Sequence, residues 1–143
     1  MRRFWMDCTG YVMAYVVVLI GTVTIPMLIL SVEIGRAMYV EVQLQAAVDA
    51  ACESAAQAVN VPVFIDTGVL QIEEGPATAN AQREFDATVI SSNITGYIPT
   101  LGVAFPTSIS VACTSSATLV WLLPGIPQLE LQADAFSQAR ATL

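Results

Sequence analysis

Residues 11–32 carry no charged side chain. At 1.5 Å per residue, a helix of that length reaches about 33 Å, enough to cross the hydrocarbon core of a bilayer. This run constrains everything else, because a chain of 143 residues has little with which to wrap it. Thr22, Thr24 and Ser31 interrupt the run, but their hydroxyls can return to the helix's own carbonyls. Gly21 and Pro26 weaken a helix in water and are tolerated in lipid. The run exceeds the apolar part of a secretory signal, and no A-x-A site closes it. Arg2 and Arg3 lie on its N-terminal side. By the positive-inside bias, residues 1–10 form a cytoplasmic basic leader, 11–32 a transmembrane helix, and 33–143 lie outside the cytoplasm.

Composition narrows the chemistry. Twelve acidic residues stand against five basic ones, all arginine, and the chain has no Lys or His. Nucleic-acid binding needs cations to displace counterions, so that class is excluded. Without His, the commonest acid–base group near neutral pH and the commonest metal ligand are missing. There is no G-x-S-x-G, phosphate-binding loop or Cys/His pair, which points away from an enzyme. Glu73, Glu74, Glu84 and Asp86 read as solvated acids. The three cysteines are scattered without a C-x-x-C pair, so neither a metal nor a cofactor is expected. Cys8 falls on the cytoplasmic side. Cys52 and Cys113 fall in an oxidising space and are a candidate disulfide, the alternative being two buried thiols.

The stretch "EIGRAMYVEVQLQAAVDAACESAA", residues 33–56, turns from apolar to mixed without a turn residue. Good helix formers dominate it, so the helix is expected to continue through residues 33–59, some 45 to 50 residues in all. Ala37, Val40, Leu44, Ala47, Ala51, Ala55 and Ala58 recur at steps of three and four and make one apolar stripe. Glu41, Gln45, Asp49, Glu53 and Gln57 make a polar line on another face. The line reads as a solvated face rather than a cation site or proton path.

Residues 60–143 read as a small α+β domain. Asn60 and Pro62 are expected to end the long helix. "VPVFIDTGVLQIEEG" reads as two short strands about Asp66, Thr67 and Gly68. Pro76 starts a second helix to about Ser91, with Ala79, Phe85 and Val89 facing inward. "NITGYIPTLGVAFP" reads mainly as loop, and Asn93, Ile94 and Thr95 fit a glycosylation acceptor. "TSISVACTS" alternates Ile109, Val111 and Cys113 against polar neighbours. "ATLVWLLPG" reads as an apolar connector. "QLELQADAFSQAR" alternates Leu129, Leu131, Ala133 and Ala135 against Glu130, Gln132 and Asp134. The expected fold is a long transmembrane helix running into an amphipathic one, packed on a small antiparallel sheet with a second helix. Alone, the last 84 or so residues make a thin core, so the alanine stripe should complete it.

Arg2, Arg3 and Gly10, the apolar span, then Glu33-x-Gly35-Arg36 and Leu44-Gln45-x-Ala47-x-Asp49-Ala50-Ala51 resemble the N-terminus of TadE/TadG-like proteins. These are pilin-like membrane proteins of the tight-adherence (Tad, Flp) pilus system. Glu33 stands where the family more often has Asp. The resemblance implies a pilin-like subunit of the bacterial cytoplasmic membrane or a surface filament, with no enzymatic activity. Its partners would be the lipid bilayer and other membrane or pilin-like subunits, met through the apolar helix in a multi-subunit assembly. It also marks Gly10–Tyr11 as a candidate processing site. Prepilins carry Glu five residues past the cut, where this chain has Tyr15, and TadG-like members that lack it look like retained anchors. The alternative function is an accessory single-pass subunit of another large membrane complex, respiratory or photosynthetic.

Overall fold

The computed structural model describes residues 2–92, 97–121 and 127–140, with side chains from Tyr11 onward. Three helices precede three strands: α1 (Arg2–Ala56), α2 (Val61–Thr67), α3 (Glu74–Ser91), β1 (Tyr97–Thr107), β2 (Ser110–Leu119) and β3 (Leu129–Gln138). The class is α+β, as the sequence patterns predict. The chain divides into two compact units, Met1–Arg36 and Ala37–Leu143.

In the first unit, the apolar side chains of residues 11–32 are exposed on nearly every side of α1. The helix contains a segment long and apolar enough to cross a membrane, with mean hydropathy 2.4. Its hydroxyls are turned inward on the backbone. Thr22 donates to the Val18 carbonyl at 2.9 Å. Thr24 donates to the Ile20 carbonyl, and Ser31 to that of Met27 at 2.8 Å. Pro26 lies within the helix and supplies no N–H of its own. The Thr22, Thr24 and Ser31 hydroxyls are therefore satisfied within the helix and need no partner in hydrocarbon.

The second unit has two layers. Three strands form an antiparallel sheet in the order β1-β2-β3. The register sets Tyr97 against Leu119, Val103 against Cys113, and Cys113 against Ala135. Because side chains alternate along a strand, this register collects Val111, Cys113, Ala117, Leu119, Leu131 and Ala133 on one buried face. Residues 37–56 of α1 and the inner face of α3 complete the same core. On the part of α1 within this unit the buried residues are Ala37, Val40, Leu44, Ala47, Val48, Ala51, Cys52, Ala55 and Ala56. The stripe read from the sequence is thus correct except at Ala58, which is half-buried, and it is broadened by Val48 and Cys52.

Other expectations are corrected. The long helix ends at Ala56 rather than at residue 59. The segment expected as two strands holds a helix, Val61–Thr67. Its caps explain the difference. The Asn60 side chain accepts from the Val63 N–H at 3.1 Å, Pro62 sits in the first turn, and Gly68 closes the end at φ 70°. These signals outweigh the β-branched residues inside it. A trace of the expected pairing survives at its ends, where Val59 bridges Ile72 in antiparallel fashion. Glu73 N–H donates to the Ala58 carbonyl at 2.9 Å and Asn60 N–H to that of Gln71 at 2.8 Å. In α3 the buried residues are Ala77, Ala81 and Phe85, spaced by four, and Ala79 is exposed. Finally, residues 97–107 form a strand of 11 residues where a loop was expected. Pro99 and Pro106 are admissible because β1 is an edge strand, with the register shifting between Ala104 and Thr107.

β2 and β3 follow the predicted alternation, although Ile109 lies in the turn before β2 and is 39% exposed. Ala117–Leu119 belongs to β2 rather than to a connector. Residues 93–95 and 122–126 lie outside the described residues, as do the side chains of the leader, including Cys8.

Candidate functional site

The motif residues singled out in the sequence all lie on α1, and the structure sorts them by role. Leu44, Ala47 and Ala51 are buried against the sheet. Alanine at two of these three places keeps the helix backbone close to the strands. Ala50 is half-buried, and Asp49 is exposed. Gln45 lies at the edge of the interface. Its amide donates to the backbone carbonyl of Asp134 in β3 at 2.9 Å and to the Asp49 carboxylate at 3.1 Å. The Leu-Gln-x-Ala-x-Asp-Ala-Ala pattern is therefore a packing device. Its apolar members seat the helix, and its Gln–Asp pair, one turn apart, fixes the helix along an edge strand whose backbone groups would otherwise be open.

The other motif cluster lies just beyond the apolar run. Glu33 is wholly buried, and one of its carboxylate oxygens lies 3.9 Å from the Arg36 guanidinium, one turn along the helix. Gly35 is exposed, and a methyl group built there would meet nothing within 4 Å. Glycine inside a helix costs about 1 kcal/mol relative to alanine. No atom of the described chain accounts for that cost. Gly10 is helical and Tyr11 is 77% exposed.

Cys52 and Cys113 are both buried and both free thiols. The Cys52 thiol reaches across from α1 to the sheet. It lies 3.4 Å from the carbonyl oxygen of Val111 and 3.6 Å from that of Ala135. Val111 is two residues before Cys113 on the same strand, and Ala135 is directly opposite it. Burial pushes the Cys113 thiol well above its ordinary value, and a hydrogen bond with Cys52 pushes it further. The composition does not reveal this juxtaposition. What signals it is that Cys52 is one residue from the buried position Ala51 on the helix, while Cys113 alternates inward on its strand.

The remaining polar groups are dispersed. Glu73, Glu74, Glu84 and Asp86 are exposed, and Asp86 accepts from Gln82 at 2.9 Å. Of the polar line, Glu41, Asp49, Glu53 and Gln57 are exposed. A groove beside it runs between α1 and β3, lined by Asp49, Glu53, Gln57, Ser137, Gln138 and Arg140 among others. Among the described residues, no three His, Cys, Asp or Glu side chains are grouped to hold a metal ion.

No curated protein and no solved structure matches the chain. One family model does match: residues 10–58, the stretch that contains the apolar run, the Glu33-x-Gly35-Arg36 cluster and the helix-on-sheet motif, match the TadE/G-like family of Flp pilus assembly.

Proposed function

We propose that the chain is a non-enzymatic, single-pass, pilin-like protein of a Tad/Flp pilus assembly or a related cell-envelope structure. The observation that carries this is the coincidence of the family match with the exposed apolar helix: residues 10–58 include all of 11–32. A helix apolar on nearly every side has no place in water, and lipid or neighbouring apolar helices supply its surroundings. Arg2 and Arg3 assign the leader to the cytoplasm, so Ala37–Leu143 faces outward. The open space at Gly35 suits close approach by a neighbouring helix, which small residues permit.

The test is genetic and biochemical together. Deleting the protein in a host that assembles such pili should abolish surface filaments, and the full chain should restore them. Normal filaments in the deletion strain would overturn the reading. The intact mass of the protein from its membrane fraction then decides processing: a mass starting at Tyr11 means cleavage after Gly10, and one starting at Met1 means a retained anchor.

A further inference from the structure

We propose that Cys52 and Cys113 form a disulfide that fastens α1 to the central strand of the sheet. The inference rests on the outward placement of Ala37–Leu143 given above. The two sulfurs come from elements far apart in sequence, yet they share one buried site. Cys52 is 1% exposed and Cys113 is 0% exposed. The Cys52 thiol lies over the strand carbonyls on either side of Cys113, 3.4 Å from that of Val111, two residues before it, and 3.6 Å from that of Ala135, its partner across the sheet. Cys8, the other cysteine of the chain, precedes the membrane run and cannot compete across a bilayer. In an oxidising compartment, two apposed thiols meet a supply of disulfide oxidants.

The chemistry balances with such an oxidant, a small-molecule or protein disulfide. One cysteine thiolate attacks the oxidant's S–S bond and releases one thiol. The second thiolate attacks the resulting mixed disulfide and releases the other thiol. Two protons and two electrons pass from the cysteines to the oxidant, and one S–S bond replaces another. The burial of both sulfurs sets the timing. An oxidant cannot reach them once α1 lies on the sheet, and burial keeps Cys113 protonated there, a poor nucleophile. The bond therefore forms as the helix closes on the sheet during folding. It closes a loop of about 60 residues, for which chain-entropy models expect unfolding to be suppressed by on the order of 1000-fold.

The experiment uses the full chain in native membranes. The protein is denatured and alkylated with a maleimide, with and without prior reduction, and its intact mass is read. In protein that keeps its leader, the expected result is one labelled thiol, Cys8, without reduction and three after it, and in protein cut after Gly10 this and every later count is one lower; in either form the unreduced digest should hold a peptide joining Cys52 to Cys113. A parallel sample of intact cells is treated with an external protease to locate the second unit. Three labelled thiols without reduction, in a protein that the protease cleaves, would overturn the disulfide and leave the placement standing. Three labelled thiols in a protected protein would overturn the placement instead. In that case the full chain, reduced and unfolded, is refolded in detergent with oxidised glutathione. Formation of the Cys52–Cys113 peptide sustains the geometry, and its absence ends the proposal.

Discussion

Leu28 and Leu44 are leucines on the same helix, and the first is 65% exposed while the second is 0% exposed. Around Leu28 the neighbours are Ile25, Met27, Leu30 and Val32, with Thr24 and Ser31 returning their hydroxyls to the helix backbone. Around Leu44 they divide, with Val40, Ala47 and Val48 on the buried side and Gln45 and Asp49 at the margin. A helix that is apolar all round has no preferred face, so its sequence encodes a solvent rather than a contact. A helix with one apolar stripe encodes a contact. The two segments of α1 therefore should fail in different ways, and mutation can tell them apart.

The largest effect is expected from charging the first segment. Leu19→Arg combined with Val23→Arg should cost about 5–7 kcal/mol of insertion free energy, at 2.5–3.5 kcal/mol per buried arginine. The doubly substituted chain should move from the carbonate-resistant membrane pellet to the soluble or degraded fraction. Retention in the pellet would break the comparison, because it would mean that residues 11–32 are not held by lipid.

Truncation in the second unit comes next. Phe85 is 1% exposed, and Phe85→Ala should destabilise Ala37–Leu143 by about 3–5 kcal/mol. Leu44→Ala should cost about 2–5 kcal/mol on the helix side of the same core. The control is Leu28→Ala, which should change the unfolding of this unit by less than about 0.5 kcal/mol. Urea unfolding of the full chain in mild detergent, followed by Trp121 fluorescence in a Trp5→Phe background, reads all three. An equal loss from Leu28→Ala would show that the two segments share one cooperative core.

These elements also show where sequence sufficed. The buried stripe on α1 and the alternation in β2 and β3 are legible because each has a period that only one structure satisfies. α2 and β1 depart from expectation for a common reason: both hold residues with two meanings. In residues 61–67, Val61, Val63 and Ile65 favour a strand, while Asn60, Pro62 and Gly68 cap a helix, and the caps prevail over so short a segment. Pro99 and Pro106 exclude a central strand but not an edge one, and edge status depends on pairings distant in sequence. The motif itself was legible as a pattern. Its function as a packing device was not, because the partner of Gln45 lies 89 residues away.

A third prediction concerns pH and applies to the reduced chain. Cys113 is held above its ordinary value of 9.0 in the folded state, chiefly by burial. The folded chain keeps that proton at a pH where the unfolded chain loses it. Its contribution is therefore fully present below about pH 9 and is lost as pH rises, at about 1.4 kcal/mol per pH unit. Above pH 9 the reduced protein should therefore lose stability as pH rises, and Cys113→Ala should remove that slope. The oxidised protein should lack it as well, since a disulfide has no thiol to ionise. A slope that persists in Cys113→Ala would assign it to another group.

The smallest effect tests whether Gln45 matters as a donor or only as bulk at the margin of the stripe. Its bond to the Asp134 carbonyl is exposed, so water can replace it, and Gln45→Ala should cost only about 0.5–1.5 kcal/mol. Gln45→Glu keeps the shape but presents a carboxylate to a carbonyl oxygen and to Asp49 one turn on. It should cost more than alanine at neutral pH, and acidification should recover part of the loss, because a protonated glutamate can donate again. Hydrogen exchange of the β3 amides is the sensitive measurement, since loosening should appear along residues 129–138 first. If Glu and Ala are equivalent at every pH, the amide contributes packing alone, and the hold on the edge strand comes entirely from the alanine stripe.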